Sequence, residues 1–513
     1  MSRRRKSRSG ALILFLILFL LIAAAAAAFF LLLPKSDPAP ALERQLAAFR
    51  PEAADAPAGI DAEIQNAAAR CFSLTTEGAL AVRFRSAEGA IRCVQLDPAQ
   101  LTAGLADEMQ TLLEQVAASA RRRSELYADD GSLRPEIAAR IYTEAVEARL
   151  ARAEDYCRES ALPVSLRYAD GAWQLEDSEA IRAVTGAPLP SMPGYAENVA
   201  ALTPIEFHYS LPDRYSPGPV PDNGCYGETA DPRAVAELLK TDMAQRLIDG
   251  QALDFDPERD MLGRPIYYYL DETILALVWQ QDEHGAVGTF AEVLIADASQ
   301  LRRKIADDTF GSYTYYYPTE FAAQTNAVGA CSGDFYNSGR ADFGLYVYDG
   351  RLMRWGLTSG QSCLITDEGD MLFTYENQFQ TPEEAQRYID ENHVNFSLNF
   401  GPVIMDQGVD VTPYDYPFGE VLDTYARCAV GQLGKRHYLA MTINCESPDH
   451  YVYVTLRQAA DSIIAHGVYN AYTLDGGQTG SILIGGRLIN PVQFGVERPM
   501  SDIYYFATAI PND

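Results

Sequence analysis

The feature that most constrains this chain is an uninterrupted apolar run of 23 residues near its start, Ala11 to Leu33. As a helix rising about 1.5 Å per residue, the run would be about 34 Å long, enough to cross the hydrocarbon core of a bilayer. Only Lys35 follows the run closely, whereas five basic residues precede it: Arg3, Arg4, Arg5, Lys6 and Arg8. Because basic flanks stay in the cytoplasm, the sequence predicts a cytoplasmic segment 1–10, a transmembrane helix 11–33 and an extracellular remainder.

A cleaved signal peptide is the alternative for the same segment. The small residues Ala23 to Ala28 would suit a cleavage site. However, Phe29 to Leu33 continue the apolar run past those alanines, and the run is long for the apolar core of a signal peptide. The pattern therefore favours a single-pass membrane protein that contacts the membrane through this one N-terminal helix.

The charge balance excludes one class of partner. The chain has 41 Lys and Arg against 70 Asp and Glu, for a formal net charge of −29. Affinity for nucleic acid comes from clustered cations that neutralise phosphates, so no nucleic-acid partner is predicted. An anionic substrate would have to be met by a local positive site.

The cysteines and histidines indicate no metal or cofactor. The eight cysteines contain no C-x-x-C spacing, and the six histidines contain no H-E-x-x-H spacing, so a zinc site is not predicted. A divalent cation is compatible with such an acidic chain, but no motif specifies one. An even number of cysteines outside the cytoplasm permits disulfides. Cys71 and Cys93 flank a predicted hairpin and form the favoured local pair, while the remaining connectivity stays open.

The segments after the apolar run differ in composition. Residues 34–60 are rich in Ala, Pro and Asp and are interpreted as a stalk. Residues 61–190 are predicted to form a small α+β module of unknown role. Its predicted elements are strands at 79–83 and 91–96, helices within 98–127 and 134–158, and a hairpin over 164–175 with its turn at Asp170-Gly171.

A linker with a lead-in helix is predicted over 191–260, and aromatic-rich strands begin after it. Residues 261–513 are rich in Gly, Tyr and Asp and contain few long helical patterns. The whole chain is therefore assigned to the α+β class, and its chemistry is expected in this C-terminal region.

The most informative local pattern is a helix followed by a strand and an acid. Thr455 is a good N-cap for a helix that Gly467 would end in a left-handed conformation. The next strand, 470–474, leads directly into Asp475, Gly476 and Gly477. An acid at a strand end, followed by glycines that let a ligand approach the backbone, is a common way to build a site, although Asp-Gly-Gly also forms ordinary turns.

Five segments, taken in order, resemble the phosphodiester glycosidase family. They are 327–336, 344–352, 427–431, 470–477 and 495–502, within a resemblance that covers about 285–513. The family includes enzymes that remove N-acetylglucosamine from a phosphodiester, and bacterial exopolysaccharide relatives. The resemblance implies a C-terminal domain, 261–513, with a mixed sheet, and hydrolysis of a sugar-1-phosphodiester in a cell-envelope glycan or exopolysaccharide.

The chemistry of that reaction selects the candidate site residues. Cleavage at an anomeric carbon passes through an oxocarbenium-like transition state flanked by carboxyl groups. Asp475 is the leading catalytic carboxylate and Asp334 the second. The departing phosphate needs Arg forks or backbone N–H donors. The candidates for binding phosphate and substrate are Arg427, Arg498, Gly476, Gly477, Gly333, Thr479 and Asn470, with Glu497 and Asp502 in support.

Structural roles are the alternatives for two of these residues. Asp334 could cap a turn beside Gly333, and Arg427 could form a structural ion pair with Asp502 or Glu497. The chain also departs from the family pattern around Arg427 and after Gly477, and most clearly at Ser332, Asn444 and Glu446. These departures support a second hypothesis, a catalytically silent surface protein that binds glycan in the same cleft.

Overall fold

The α+β class is confirmed in a computed structural model of the chain, which describes most of its residues. The described ranges are 8–50, 59–176, 179–185, 189–211, 217–337, 344–355, 360–416, 423–445 and 452–512, so Glu446 lies outside them. The chain divides into two compact units, one formed by residues 1–119 and 133–205 and the other by residues 120–132 and 206–513.

The first unit combines helices with one antiparallel sheet. Its helices are α1 (Arg8–Leu32), α2 (Ala39–Leu46), α3 (Ile60–Cys71), α4 (Pro98–Thr102), α5 (Leu105–Ser119), α6 (Pro135–Leu150), α7 (Glu179–Thr185) and α8 (Tyr195–Ala200). Its strands are β1 (Ser73–Arg83), β2 (Ser86–Leu96), β3 (Cys157–Ala169) and β4 (Ala172–Leu175), paired in that order. The turn between β3 and β4 has positive φ at Asp170 and Gly171, as the sequence predicts.

Helix α1 contains the apolar run. Its stretch Leu12–Leu32 is long and apolar enough to cross a membrane, judged by length and composition. The same observation fits a membrane anchor and a signal peptide near the N-terminus, so it supports the predicted helix without deciding between the two.

Two elements of this unit differ from the sequence interpretation. Part of the expected stalk is helix α2, because Leu42 and Leu46 are buried against the sheet with Ile91 and Trp173. The helix expected within 98–127 is divided into α4 and α5, since Gly104 between them has a φ of 65°. A left-handed residue ends a helical path, and glycine adopts that conformation at little cost.

The cysteines of this unit are arranged differently from the favoured pairing. Cys71 ends α3 and Cys157 begins β3. Burial raises the pKa of the Cys157 thiol, and the neighbouring Cys71 thiol adds to that rise. Cys93 is buried in β2, where it lies opposite Leu74 of β1 and Ser160 of β3. The local neighbour of Cys71 is therefore Cys157.

The second unit is mainly strand. Its helices are α9 (Pro232–Leu238), α10 (Asp242–Ile248), α11 (Pro318–Thr325), α12 (Pro382–Glu391) and α13 (Leu456–Ala465). Its strands are β5 (Tyr226–Thr229), β6 (Ile266–Leu270), β7 (Ile274–Glu283), β8 (Ala286–Ile295), β9 (Leu301–Ile305), β10 (Gly329–Ser332), β11 (Leu345–Tyr348), β12 (Arg351–Trp355), β13 (Ser362–Thr366), β14 (Met371–Thr374), β15 (Val394–Leu398), β16 (Val403–Asp406), β17 (Val409–Asp410), β18 (Arg427–Gly434), β19 (His437–Asn444), β20 (Asn470–Leu474), β21 (Ile482–Ile484), β22 (Arg487–Leu488) and β23 (Asp502–Phe506).

These strands form three sheets around a shared core. The orders are β17-β16-β20-β18-β19-β8-β7-β6-β5, β22-β21-β10-β23-β9 and β12-β11-β15-β13-β14. Val430 of the large sheet, Leu398 of β15 and Tyr504 and Phe506 of β23 belong to one buried cluster. The other face of the large sheet is covered by α10 and α13, whose Leu247 and Ile463 join a second cluster. Burial of this apolar surface is the main force that holds the sheets together.

Every pairing among the described strands is antiparallel, whereas the expectation was a mixed sheet. The physical reason is visible at α13. This helix returns the chain so that β20 runs in the same direction as β19, but β18 lies between them. Both β19 and β20 therefore pair with β18 in the antiparallel sense.

Helix α13 and strand β20 form as their sequence predicts. The hydroxyl of Thr455 accepts a hydrogen bond from the backbone N–H of Gln458, whose side chain completes a capping box. Gly467 follows the helix with a φ of 80°. The chain then enters β20, and Asp475 is the first residue after that strand.

Candidate active site

The end of β20 brings the leading acid beside the start of β18. Cys428 lies opposite Leu474 in the antiparallel pairing, so Arg427 and Asp475 are at the same edge of the large sheet. Asp475 is half-buried, and its Oδ2 accepts a hydrogen bond from the backbone N–H of Tyr336 at 3.3 Å. The first predicted motif, 327–336, therefore meets Asp475 at this edge.

The two residues after Asp475 are glycine for two different structural reasons. A Cβ at Gly476 would lie 2.0 Å from the carbonyl oxygen of Ala426, so only glycine fits where the chain crosses the start of β18. Gly477 has a φ of 63°, and its carbonyl accepts a hydrogen bond of 2.9 Å from Asn444 Nδ2. At Gly476 the close approach is made by the protein's own backbone, where the sequence argument expected a ligand.

Arg498 reaches the same edge from the C-terminal loop. Its guanidinium carbon lies 3.7 Å from the centroid of the Tyr336 ring, which is a close cation–π stack. The amide of Tyr336 contacts Asp475, so one residue links the leading acid to a half-buried arginine. Tyr336 was not among the predicted site residues, because a backbone donor and a stacked ring leave no motif of their own.

Arg427 is nearly buried, at 9% exposure, and contacts backbone carbonyls. Its Nε donates to Val454 O at 3.3 Å and its Nη2 to Asp423 O at 2.5 Å. The guanidinium also lies over the ring of Tyr425 at 5.6 Å. These contacts hold the start of β18 and fix the plane of the guanidinium.

A buried ion cluster lies behind this edge, centred on Arg303 of β9. Arg303 Nη2 donates to Asp334 Oδ2 at 2.6 Å, and Arg303 Nε and Nη2 both donate to Asp502 Oδ2. The side chains of all three residues are fully shielded from solvent. Asp334 Oδ1 accepts a further hydrogen bond from the backbone N–H of Asn399 at 2.6 Å. The partner of Asp502 is thus Arg303, which the sequence analysis did not select.

The charges in this cluster are unequal, since two carboxyls face one guanidinium. Burial raises the pKa of Asp334 to about 7, the charge of Asp502 adds to that shift, and Arg303 opposes it. Burial alone would lower the pKa of Arg303, but Asp334 and Asp502 outweigh it and raise that pKa. At pH values below the pKa of Asp334, a proton on that carboxyl makes the cluster electroneutral.

Two smaller candidates, Gly333 and Thr479, lie close to these elements, together with Ser332, one of the departures from the family pattern. A Cβ at Gly333 would be 2.6 Å from Asp502 Oδ2, so this glycine lets the chain pass over the carboxylate. Ser332 is buried, and its Oγ accepts a hydrogen bond from the backbone N–H of Ser481 at 3.3 Å. Thr479 is also buried, and its Oγ1 has no hydrogen-bond partner in the described part of the chain.

Two other candidates have contacts of their own. Asn470 begins β20, at the opposite end from Asp475, where it donates to Met371 O at 3.0 Å and accepts from the backbone N–H of Gln407 at 2.8 Å. Glu497 Oε2 accepts a hydrogen bond of 2.7 Å from Thr319 Oγ1. The structure therefore brings Asp475, Arg427 and Arg498 to one edge, with Asp334 and Asp502 behind it, and places Asn470 apart.

A cavity of about 530 Å³ lies elsewhere in the second unit. Its lining includes Arg123, Tyr209 and Glu272, and none of the predicted site residues. Glu272 accepts hydrogen bonds from the backbone N–H groups of Arg123 and Ser124, so this carboxylate is already engaged in holding the chain. Over the ranges that the structure describes, no cluster of three or more His, Cys, Asp or Glu could hold a metal ion.

Comparison with known proteins finds a family match for the segment that contains Tyr336, Asp475 and Arg498. Residues 325–507 match the family model of phosphodiester glycosidases, which confirms the resemblance over those residues. No curated protein matches the chain by sequence. Among solved structures, the zebrafish N-acetylglucosamine-1-phosphodiester alpha-N-acetylglucosaminidase catalytic domain, auto-inhibited by its pro-peptide, is similar at 17% identity and a TM-score of 0.37, covering 46% of this chain and 84% of that one. A hypothetical protein from Synechocystis is similar at 14% identity and a TM-score of 0.32, covering 46% and 62%.

Proposed function

We propose that this chain, which carries a phosphodiester glycosidase domain over 325–507, hydrolyses a sugar-1-phosphodiester. The observation that carries the proposal is the edge at which half-buried Asp475 meets Arg498 through Tyr336. A carboxylate and a guanidinium held together are the two groups that this reaction requires. One acts at the anomeric carbon, and the other binds the phosphate that departs.

Asp475 is the carboxylate that acts at the anomeric carbon. It lies at the end of a strand in the middle of the large sheet, and the amide of Tyr336 orients it. A rigid strand end keeps the acid in place while leaving part of it accessible. Its role is to stabilise or attack the oxocarbenium-like centre, as carboxylates do in glycoside hydrolysis.

Arg498 binds the phosphate, and Arg427 supports the same edge. The stack on Tyr336 fixes the plane of the Arg498 guanidinium, so its N–H groups can form two parallel bonds to phosphate oxygens. A phosphate monoester is a good leaving group, so holding its charge contributes more than protonating it. Asp334 and Asp502 position the loop 333–336 through Arg303, although both stay shielded from water.

The substrate is a glycan of the cell envelope or an exopolysaccharide, and the chain acts on it outside the cell. The apolar helix with its basic N-terminal flank supports this location, with α1 as an uncleaved anchor.

The test is an assay of the full chain, purified in detergent, against a panel of sugar-1-phosphodiesters, beginning with the methyl phosphodiester of α-N-acetylglucosamine. We expect release of the free sugar and the phosphate monoester, and loss of that release in Asp475→Asn. Asp406→Asn is the control, because Asp406 ends β16 at the opposite edge of the same sheet. Binding of the substrates without turnover would favour the silent glycan-binding protein that the departures at Ser332 and Asn444 suggest.

A further inference from the structure

The loop 492–498 packs against the residues that follow Asp475 in the chain. Gln478 Nε2 donates to Val496 O at 3.1 Å, and a Cβ at Gly477 would lie 3.2 Å from Gln493 Oε1. Gln493 is held in turn by its Nε2, which donates to Tyr453 Oη at 2.8 Å. Gln493 and Val496, on either side of Phe494, therefore lie against Gly477 and Gln478.

Phe494 has an unusual conformation for its residue type. Its φ and ψ are 65° and 7°, in the left-handed region that a bulky side chain rarely adopts. Its side chain is exposed at 60%, and the neighbouring Val496 at 58%. Neither burial nor a favourable backbone conformation explains a phenylalanine at this position. Strained residues that expose an apolar surface beside a candidate site are a sign of function.

The surroundings of the ring are suited to a sugar. Two amide side chains belong to this region, that of Gln478, which donates to Val496 O, and that of Gln493 beside Phe494, and Arg498 ends the loop. A pyranose ring presents an apolar face of C–H groups that packs on an aromatic ring, and hydroxyls at its edge that bond to amides. A lipid chain would need a larger apolar surface than one ring and one valine.

We propose that Phe494 is the stacking platform of a sugar subsite, on which a pyranose ring of the substrate lies while Arg498 holds the adjoining phosphate. The subsite rests on the proposed function, and it adds a specificity residue to it. The loop 492–498 recognises the sugar by its apolar face, through Phe494.

The experiment compares two probes that share phosphate and differ in the sugar. Binding of α-N-acetylglucosamine 1-phosphate and of inorganic phosphate is measured by calorimetry for the wild type, Phe494→Ala and Phe494→Trp. We expect Phe494→Ala to weaken binding of the sugar phosphate about tenfold and to leave inorganic phosphate within twofold, and Phe494→Trp to retain sugar binding. With a hydrolysed diester, Phe494→Ala should raise KM about tenfold at a nearly unchanged kcat.

Two further variants separate a platform from a structural role. Phe494→Gly removes the left-handed strain, so its melting temperature should equal or exceed that of the wild type while sugar binding still falls. Phe84→Ala is the matched control, because Phe84 is also exposed, with a φ of 51°, in the first unit. It should change neither binding nor KM.

The outcomes distinguish this subsite from the proposed function. If Phe494→Ala bound the sugar phosphate as tightly as the wild type does, the platform would be overturned, whether or not the enzyme is active. Binding of inorganic phosphate alone by the wild type would overturn it as well. Sugar binding that depends on Phe494, in a protein that hydrolyses no phosphodiester, would support the subsite and reject the hydrolase.

Discussion

Asp334 accepts a hydrogen bond of 2.6 Å from Arg303, and neither side chain is exposed to solvent. The same guanidinium contacts Asp502, so one cation holds two acids that lie 168 positions apart in the chain. Because Asp334 precedes Tyr336 by two residues, this cluster fixes the loop whose amide contacts Asp475. We expect it to act by positioning that loop.

The first prediction concerns Arg303→Leu. Removing the cation leaves two buried carboxyls without a balancing positive charge, which typically costs about 3–5 kcal/mol in the free energy of unfolding. The loss should be larger at pH 7.5 than at pH 5. Arg303 lowers the pKa of Asp334 against the effect of burial, so its removal raises the folded-state pKa of this carboxyl further. A carboxyl whose folded pKa is raised stabilises the fold at low pH and loses that contribution as pH rises, so the variant should lose more stability than the wild type between pH 5 and pH 7.5.

Urea unfolding at the two pH values measures this difference. Arg457→Leu is the control, since Arg457 is an exposed arginine that contacts Asp410 and Asp461 at the surface. We expect it to change the free energy of unfolding by less than about 1 kcal/mol at either pH. An Arg303→Leu variant with the same loss at both pH values would contradict the assigned protonation.

The second prediction concerns Asp475→Asn. The amide has the shape of the carboxylate, and its oxygen can still accept from Tyr336, so the melting temperature should stay within about 2 °C of the wild type. Turnover of a confirmed phosphodiester should fall by about three orders of magnitude or more, as expected for loss of a catalytic carboxylate. Normal turnover by this variant would remove the catalytic role of Asp475.

The third prediction concerns Gly476→Ala. The added methyl group would lie 2.0 Å from Ala426 O and 2.8 Å from Ala426 C, and backbone cannot move aside as a side chain can. We expect β18 and β20 to separate at this edge, a loss of about 1–3 kcal/mol in stability, and reduced turnover. Gly480→Ala is the matched control, because its nearest contacts would be at 3.5 Å, and it should retain stability close to the wild type.

How far the sequence predicts this molecule depends on the distance over which each signal acts. The cap at Thr455, the end at Gly467 and the strand before Asp475 are local, and they form as predicted. Helix α2 was missed because Ala- and Pro-rich composition suggests a stalk, whereas its two buried leucines pack on a sheet whose strands begin only at Ser73 and extend to Leu175. Burial is a tertiary property, and composition does not report it.

The candidate site follows the same rule. Asp475 and Arg498 belong to ordered motifs, so the sequence identifies them. Arg303 lies in the segment Leu301–Ile305, where a basic strand gives no indication that one guanidinium is buried between two distant acids. Tyr336 contributes a backbone N–H, which every residue except proline has. Such groups become recognisable only when the fold brings their partners together.

The fourth prediction concerns the thiols of the first unit. If residues beyond α1 lie outside the cytoplasm, Cys71 and Cys157 should form a disulfide by exchange with an oxidised thiol donor, because the Cys71 thiol is close enough to shift the pKa of the Cys157 thiol. Peptide mapping under non-reducing conditions should recover a Cys71–Cys157 link. Cys93→Ser should leave this link intact, and a Cys71–Cys93 link would contradict the prediction.

The last prediction concerns Arg498→Lys, which keeps the positive charge and removes the planar fork. A lysine ammonium is a compact charge that binds one phosphate oxygen at a time, whereas the guanidinium over Tyr336 presents a fixed plane with two parallel donors. The variant should therefore lose about 10- to 100-fold in kcat/KM for a phosphodiester, with a larger loss in kcat if the fork acts mainly on the departing phosphate.

Its stability should change little, because a half-buried stacked cation contributes at most about 2 kcal/mol. Arg457→Lys is the control, because Arg457 lies on helix α13 and forms an exposed salt bridge with Asp410. This variant should retain full activity. Steady-state kinetics and thermal melting of both variants measure the changes in kcat/KM and in stability. Equal kcat/KM for Arg498→Lys and the wild type would show that the charge alone is sufficient, and would remove bidentate phosphate binding from the proposed mechanism.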